Sequence, residues 1–431
     1  MKAKWIVLLI SLLASTRLCG QSDSLYYSQS YLDKSTRFAW LTCGGDLNLL
    51  TGGQTQQIIN NTLLDTDFGQ TLMPRATIGG IHFWGHADFY VTFPLSFLTL
   101  QQVPRGLQEL EVYQGVETGA RIYPLKLQPG RVSPFAGISF RRIRFSQEAE
   151  ESESGNGVPD YGRFIHPLQL GLTWTSDKWH ITASGYYNFQ NSFNYFVSPT
   201  ETARVELDPL SFNLSFLRYI DTDRHMRSEK ATRIINSYYQ TLKDQNLLGT
   251  WFFGVGPSSA LQVTKSPYLQ EFFPFFYDDF SAAILPDLTF GRYFHKPDVN
   301  VNLSYRTYGN RYEGFDSEIN TRRHSAGIES VKFLFNYYGF VPFVGPALTR
   351  EHLRTTVNGT TYTENKLAVG ITFGWDIRVT RTGTSLLRTN LRYFPGLHMD
   401  IAGEKMMFDH LEFNFIQWVQ FIGRKKALRN R

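Results

Sequence analysis

The chain has 431 residues, a formal net charge of +5, a 15% aromatic share and 35 glycines. Beyond the first 20 residues, no apolar run approaches the roughly 20 residues that a transmembrane helix needs, which excludes a helical membrane protein. Three basic residues and no acidic ones lie in those first 20 positions, so the net charge of the remainder falls to +2. This balance gives no argument for a nucleic-acid partner.

The start of the chain has the order of a secretory signal peptide. Lys2 and Lys4 form a positively charged beginning, and the apolar run at 5–13 is too short to span a bilayer. We place the signal peptide at residues 1–20 and expect export of the protein. Cys19 leaves lipid attachment open as an alternative, although the residues before it fit a lipidation motif poorly.

The chain beyond the signal peptide is predicted to be mostly strand. After a predicted helix at 24–33, apolar residues recur at every second position, which is the period of a strand. The predicted strands of the first half are 38–50, 75–83, 88–95, 112–123, 134–145, 168–174, 179–187 and 207–219. Their connections alternate between long and short, as the outer loops and periplasmic turns of outer-membrane barrels do.

The second half repeats the first. The stretch DPLSFNL at 208–214 returns as DHLEFNF at 409–415. Other short matches keep the same order, at spacings that drift from about 212 to about 199 residues, which indicates a duplication. A second predicted helix at 228–243 stands near the start of the second copy. We therefore divide the chain into repeats at 21–221 and 222–431, each a helix followed by eight strands.

The predicted strand at 366–379 shows two contrasting faces. Its apolar face runs from Leu367 to Val379 without a charge, whereas the other face carries Asp376 and Arg378. A soluble β-sandwich would also alternate and remains an alternative. A packed apolar core would not accept these two charges unpaired, however. The pattern favours a membrane β-barrel, which is apolar outside and polar inside.

Two segments carry a resemblance to a known family. VSPFAGISF at 132–140 and FVPFVGPAL at 340–348 resemble strands of the eight-stranded barrels of the outer-membrane protein A-like superfamily. The resemblance covers nearly all of the chain beyond the signal peptide, at the level of pattern. It implies an all-β, transmembrane antiparallel barrel in a bacterial outer membrane, surrounded by lipid. It implies little about activity.

The last predicted strand resembles the recognition strand that the barrel-assembly machinery reads during biogenesis. The residues that carry this resemblance are Phe413, Phe415, Val419 and Phe421. The chain departs from the pattern because Gln417 interrupts the apolar register and residues 422–431 follow the last phenylalanine.

Two architectures are compatible with the repeat. One barrel of about 16 strands is the preferred prediction, because the strand that ends the first copy lacks the terminal phenylalanine of its twin. Two eight-stranded barrels in tandem are the alternative, because the helix was copied together with the strands. In either case the helices at 24–33 and 228–243 are expected at the periplasmic mouth.

Charged residues opposite the apolar face are predicted to line the lumen. They are Glu117, Arg121, Arg306, Glu329, Asp376, Arg378, Arg388 and Arg392. An arginine facing lipid at mid-bilayer would cost about 2–4 kcal/mol, so the lumen is where arginines can be kept. Two interpretations stay open. The arginines line open water and favour anions, or they pair with carboxylates, as Glu117 and Arg121 would, and join the strands of the wall.

The expected function is a porin-like channel for small solutes, because a barrel of about 16 strands encloses water. A structural or surface-interaction barrel without an open pore is the alternative. No catalytic motif is present, so an enzyme is not expected, and His82, His86 and His180 keep a membrane-embedded lipid-modifying enzyme only as a distant alternative. No cofactor or metal site is predicted, and Cys43 alone cannot form an internal disulfide.

Overall fold

A computed structural model describes residues 39–59, 62–82, 85–101, 104, 107–149, 159–220, 229–277, 281–335, 340–377 and 383–429. The predicted signal peptide and the predicted helix at 24–33 lie outside these ranges. The described chain is mainly antiparallel strand, which confirms the all-β prediction. None of its helices is long and apolar enough to cross a membrane.

The first half forms a ring of eight long strands. They are β1 (Ala39–Leu50), β4 (Thr71–His82), β5 (Ala87–Pro94), β7 (Leu107–Ile122), β8 (Val132–Ala149), β10 (Leu168–Thr175), β11 (Trp179–Tyr187) and β14 (Leu210–Ile220). β1 pairs with β4 on one side and with β14 on the other, which closes the ring. At one end the connections are short, and we call this the turn end of the barrel and the opposite end its loop end.

Smaller elements extend the loop end of the first barrel. The hairpin strands β2 (Gly53–Ile59) and β3 (Thr62–Phe68) join β12 (Ser192–Phe196) and β13 (Thr202–Leu207) in a four-stranded sheet. The short strands β6 (Leu100–Gln101) and β9 (Tyr161–Ile165) pair with β4 and β8, and a single 3₁₀ turn spans Ser96–Leu98.

The second half forms a closed barrel of its own. Its strands are β15 (Trp251–Gln262), β16 (Ser281–Phe294), β17 (Val299–Gly314), β18 (Ser317–Phe333), β19 (Phe340–Val357), β20 (Thr360–Ile377), β21 (Ser385–Tyr393) and β24 (His410–Phe421). Helix α1 (Glu229–Asp244) precedes it and confirms the helix predicted at 228–243. Helix α2 (Pro267–Phe272) and the hairpin β22 (His398–Ile401) and β23 (Glu404–Met407) lie at one end, which we call the loop end of this barrel. At the opposite end, its turn end, α3 (Arg424–Arg429) follows the last strand.

The pairing of the strands corrects the preferred architecture. Within the described ranges, no strand of residues 39–220 pairs with a strand of residues 251–421. The single barrel of about 16 strands is therefore wrong, and the alternative of two eight-stranded barrels in tandem is what forms. The physical reason is that each ring hydrogen-bonds both of its own edges, so neither has a free edge to offer the other.

Side chains alternate between the two faces of both barrels. On β10, Leu170 and Leu172 are exposed on the outside, whereas Gln169, Thr173 and Thr175 are buried inside. The turn between β19 and β20 shows how local sequence sets this register. Asn358 and Gly359 both have positive φ, 44° and 85°, as a two-residue type I′ hairpin requires.

The last strand exchanges its faces at a bulge. Its pairing with both neighbours shifts register around residues 415–417. Beyond the bulge, Trp418 is exposed, whereas Val419 and Phe421 are buried inside the barrel. An uninterrupted strand would place Val419 and Phe421 on the same outer face as Phe413. The bulge instead places them on the inner face. The side chain of Phe415 lies outside the described part.

An apolar cluster closes the turn end of the second barrel. Leu242 of α1 packs there with Phe252, Phe333 and Phe421 from the strands. Arg424 of α3 is fully buried and lies over the ring of Phe421, 3.8 Å from its centroid. It donates hydrogen bonds to three backbone carbonyl groups at 2.6–3.1 Å. Helix α1 thus lies at a barrel mouth, as predicted for this helix.

The two barrels touch at their loop ends through Tyr277. Its ring packs edge-on against Tyr161 of the first barrel, with centroids 4.6 Å apart. Its hydroxyl accepts a hydrogen bond from the backbone N–H of Phe196 at 2.7 Å and lies 3.4 Å from the carbonyl oxygen of Asn194. Burial raises the pKa of the Tyr277 hydroxyl above its usual range.

Candidate functional site in the barrel interiors

The interior of the first barrel is built around Arg75. Its guanidinium pairs with Asp46 at 2.6 Å and with Glu117 at 2.7 Å, and it also donates to the amide oxygen of Gln114 at 3.1 Å. Tyr90 donates its hydroxyl to Glu117 at 2.8 Å. Four strands, β1, β4, β5 and β7, supply these groups. Each carries its polar residue at an inward position of the alternation, so closure of the ring brings them together.

A second group surrounds Asp88. Its carboxylate accepts from Tyr123 at 2.5 Å and pairs with Arg121 at 3.4 Å, and Nε2 of His180 lies 3.3 Å away. The expected pair of Glu117 with Arg121 is therefore wrong. Residues four apart on a strand are separated by roughly 13 Å, whereas Asp88 is directly opposite Arg121 on the neighbouring strand.

The interior of the second barrel holds a continuous network of ion pairs. Arg392 pairs with Asp287 at 2.5 Å and with Glu329 at 2.6 Å. Glu329 lies 3.6 Å from Arg306, which also pairs closely with Glu412. Glu412 in turn lies 2.7 Å from Arg323, whose other partner is Glu351 at 2.8 Å. Positive and negative groups alternate from Asp287 to Glu351, so each of the three arginines lies between two of the four carboxylates.

Nearer the turn end, Asp376 and Arg388 form a separate pair. They are directly opposite on β20 and β21, and Nε of Arg388 donates to Asp376 at 2.7 Å. The guanidinium of Arg388 lies between aromatic rings, 5.5 Å from the centroid of Phe252 and 5.1 Å from that of Phe343. Arg378, which was predicted to line the lumen with them, lies outside the described residues.

Both interiors are filled rather than open. The side chains of Arg75, Arg306 and Arg392 are 0% exposed, and so are their partners Glu117 and Glu412. Arginine forks that meet carboxylates in two parallel hydrogen bonds hold fixed positions, as Arg388 does with Asp376. Such a network can brace a barrel wall, and its ion-paired side chains expose almost no surface to a channel.

The predicted lumen residues and the described interior overlap in part. Glu117, Arg121, Arg306, Glu329, Asp376, Arg388 and Arg392 are all buried in an interior network. Six further residues belong to the same networks but were not among the predicted lumen residues: Asp46, Arg75, Asp88, Asp287, Arg323 and Glu351. Their signal was present in the sequence, because each occupies an inward position in the two-residue alternation of its strand.

The histidines considered for catalysis have structural partners. Nδ1 of His86 lies 2.9 Å from the carbonyl oxygen of Tyr123, and His180 contacts Asp88 and the hydroxyl of Tyr219 at 3.2 Å. His82 lies at the end of β4, and its side chain is not among those described. Among the described residues, no group of three or more His, Cys, Asp or Glu is placed to hold a metal ion.

A recess opens at the loop end of the first barrel. It is lined by Arg141, Ser211, Asn188 and Asp208, among others. Arg141 is buried, donates to the hydroxyl of Ser211 at 3.1 Å, and lies 4.7 Å from the ring centroid of Tyr186. The recess therefore reaches from the loop end of the first barrel to the buried Arg141.

The sequence matches no protein-family profile and no curated protein. Solved structures resemble the fold. Neisserial surface protein A is 13% identical with a TM-score of 0.28, and the match covers 40% of this chain and 96% of that one. Ail, the attachment invasion locus protein of Yersinia pestis, is 10% identical with a TM-score of 0.26 and the same coverages.

An outer membrane channel from Pseudomonas putida F1 is 10% identical with a TM-score of 0.20, and that match covers 93% of this chain and 98% of the other. Such low identities and TM-scores carry no argument about function, so the function of this chain is argued from its own residues. Those residues define a protein of two small closed barrels whose polar interiors are filled by ion-paired side chains.

Proposed function

We propose that the protein is an integral outer-membrane protein whose two barrels anchor it without an open pore, and that it acts through its outer, loop-end surface. The observation that carries this proposal is the filled interior of both barrels. An eight-stranded barrel has an interior just wide enough for its own side chains, whereas porins use about 16 or more strands. The structural or surface-interaction alternative is therefore better supported than the porin-like channel.

The outer faces of the strands support membrane insertion. On β14, Leu210, Phe212, Leu214 and Phe216 alternate outward and are 38–49% exposed, whereas Ser211, Asn213 and Ser215 face inward and are buried. Large apolar side chains exposed on every second position would be an aggregation hazard in water, but they match lipid. A closed ring also satisfies every strand edge, as the hydrocarbon core demands.

The loop end of the second barrel carries an ordered apolar cap. Tyr268 and Leu269 of α2 pack with Phe276 and with Met399 and Met406 of the β22–β23 hairpin. The hydroxyl of Ser266 accepts from the backbone N–H of Met407 at 3.3 Å, which ties the two parts together. A packed cap, joined to the first barrel through Tyr277, offers a fixed outer surface rather than mobile loops over a pore.

We expect no ion conductance from the folded protein. Flotation with lipid vesicles and heat-modifiable migration on a gel first select correctly folded protein. In planar bilayers this protein should give no discrete current steps above the bare membrane, because ion pairs close the described interiors. Discrete, reproducible steps, whichever ion they favour, would contradict the proposal and restore the porin-like channel. Protein that stays soluble in the periplasm would contradict the membrane location itself.

The proposed role of the last strand in barrel assembly can be tested separately from its role in packing. Phe421 is buried in the closing cluster, so Phe421→Ala would weaken the barrel by packing alone. Phe413 is a better probe, because it precedes the bulge in β24 and corresponds to the outward Phe212 of the first repeat. We expect Phe413→Ala to lower the yield of folded protein in cells several-fold more than Phe212→Ala does, with similar stability of both variants after refolding in detergent. Equal yields in cells would mean that the terminal strand has no special status.

A further inference from the structure

The outward residues of β17 to β20 lie in rows across the strands. One row is entirely apolar: Leu303, Ile328, Leu348 and Val369. The next row toward the loop end is Tyr305, Ala326, Arg350 and Leu367. The two rows beyond it are Thr307, His324, His352 and Asn365, and then Gly309, Arg322, Arg354 and Thr363. The change from apolar to basic takes place within one row, which is about 7 Å along a strand.

The basic residues of these rows are Arg322, His324, Arg350, His352 and Arg354, and we call them the basic face. Arg322 is directly opposite Arg354 on the neighbouring strand, and His324 is directly opposite His352. The two imidazole centroids are 6.1 Å apart. Like charges directly opposite on a sheet repel each other, so the pair of Arg322 and Arg354 costs stability unless an anion lies between them.

The arginines of the basic face have no acidic partner among the described residues. Arg322, Arg350 and Arg354 are exposed and make no ion pair there. Arg311, one row further out, shows the contrast, because it pairs with both Glu313 and Glu318. On β17 to β20, the unpaired guanidinium groups therefore lie in the first and the third row beyond the apolar one.

We propose that the basic face binds the phosphate groups of a phosphorylated glycolipid in the outer leaflet, whose acyl chains lie against the apolar row. Guanidinium forks match phosphate oxygens in paired hydrogen bonds, and two arginines at directly opposite positions can hold one phosphate between them. The place on the barrel selects a lipid, since the basic face lies on the outer wall, on the loop-end side of the apolar row. This inference rests on the proposed insertion in the outer membrane.

The test compares the full-length protein with the variant R322Q/R350Q/R354Q. Both are reconstituted in phosphatidylcholine vesicles that contain bisphosphorylated lipid A, and the glycolipid retained by each protein is measured by native mass spectrometry. Taking about a factor of five for each arginine near an anionic surface, we expect binding to weaken about a hundredfold. R311Q is the matched control and should bind as the unmodified protein does, since Arg311 already has two carboxylate partners.

Two further arms separate the sources of the phosphate. Lipid A without its phosphates should be retained no better by the unmodified protein than by the triple variant, and excess inorganic phosphate should not displace the bound glycolipid. Equal retention of bisphosphorylated lipid A by both proteins overturns the inference while leaving membrane insertion intact. Displacement by inorganic phosphate overturns the choice of a lipid. Failure of the unmodified protein to float with the vesicles overturns the proposed function, and this inference with it.

Discussion

Replacing Arg392 with leucine is expected to lower the free energy of unfolding of the second barrel by about 3–5 kcal/mol. Arg392 is fully buried and pairs with both Asp287 and Glu329, so its loss removes the ion-pair partner of Asp287 and leaves Glu329 with Arg306 at 3.6 Å. The measurement is urea unfolding of the refolded protein in detergent micelles, followed by the heat-modifiable shift on a gel. The matched control is Arg311→Leu, an arginine that is 58% exposed with two partners and should cost at most about 1 kcal/mol.

The cause of this loss can be checked with a compensated variant. Adding Asp287→Asn and Glu329→Gln to Arg392→Leu removes the unpaired charges and should recover part of the stability, because an isolated buried charge costs more than a neutral group of the same shape. The first barrel should be unaffected in every variant, since it closes without the second. A similar loss in residues 39–220, read by hydrogen exchange, would contradict the independence of the two barrels.

Replacing Gly345 with alanine is expected to destabilise the second barrel by about 3 kcal/mol or more. A Cβ at this position would lie 1.8 Å from the carbonyl oxygen of Ser330, a backbone atom of the neighbouring strand that cannot move without breaking the pairing of β18 with β19. Gly309→Ala in the same barrel is the control, because its nearest neighbour would be 3.5 Å away. The yield of folded protein and the urea midpoint measure both variants, and a similar result for the two would show that the strands adjust freely.

Much of the candidate site could be predicted from the sequence, because a strand repeats its side-chain direction every two residues. That period places Arg388 and Asp376 on the face opposite the apolar one without any knowledge of the fold. It could not identify which carboxylate each arginine meets. Arg75 and Glu117 are 42 positions apart and meet only because the ring brings β4 and β7 together. Partner choice depends on register across strands, which local sequence does not encode.

By itself, the sequence determined that the chain is made mostly of strands and which residues of each regular strand share a face, and it predicts two copies of a helix-plus-strands unit. Only the tertiary structure decided how many strands close a ring and therefore whether a lumen remains. The physical reason is that closure depends on which edges pair, here β1 with β14, and the alternation along each strand is the same in either architecture. Bulges add a second limit, since one extra residue in β24 is enough to turn Val419 and Phe421 from the outer face to the interior.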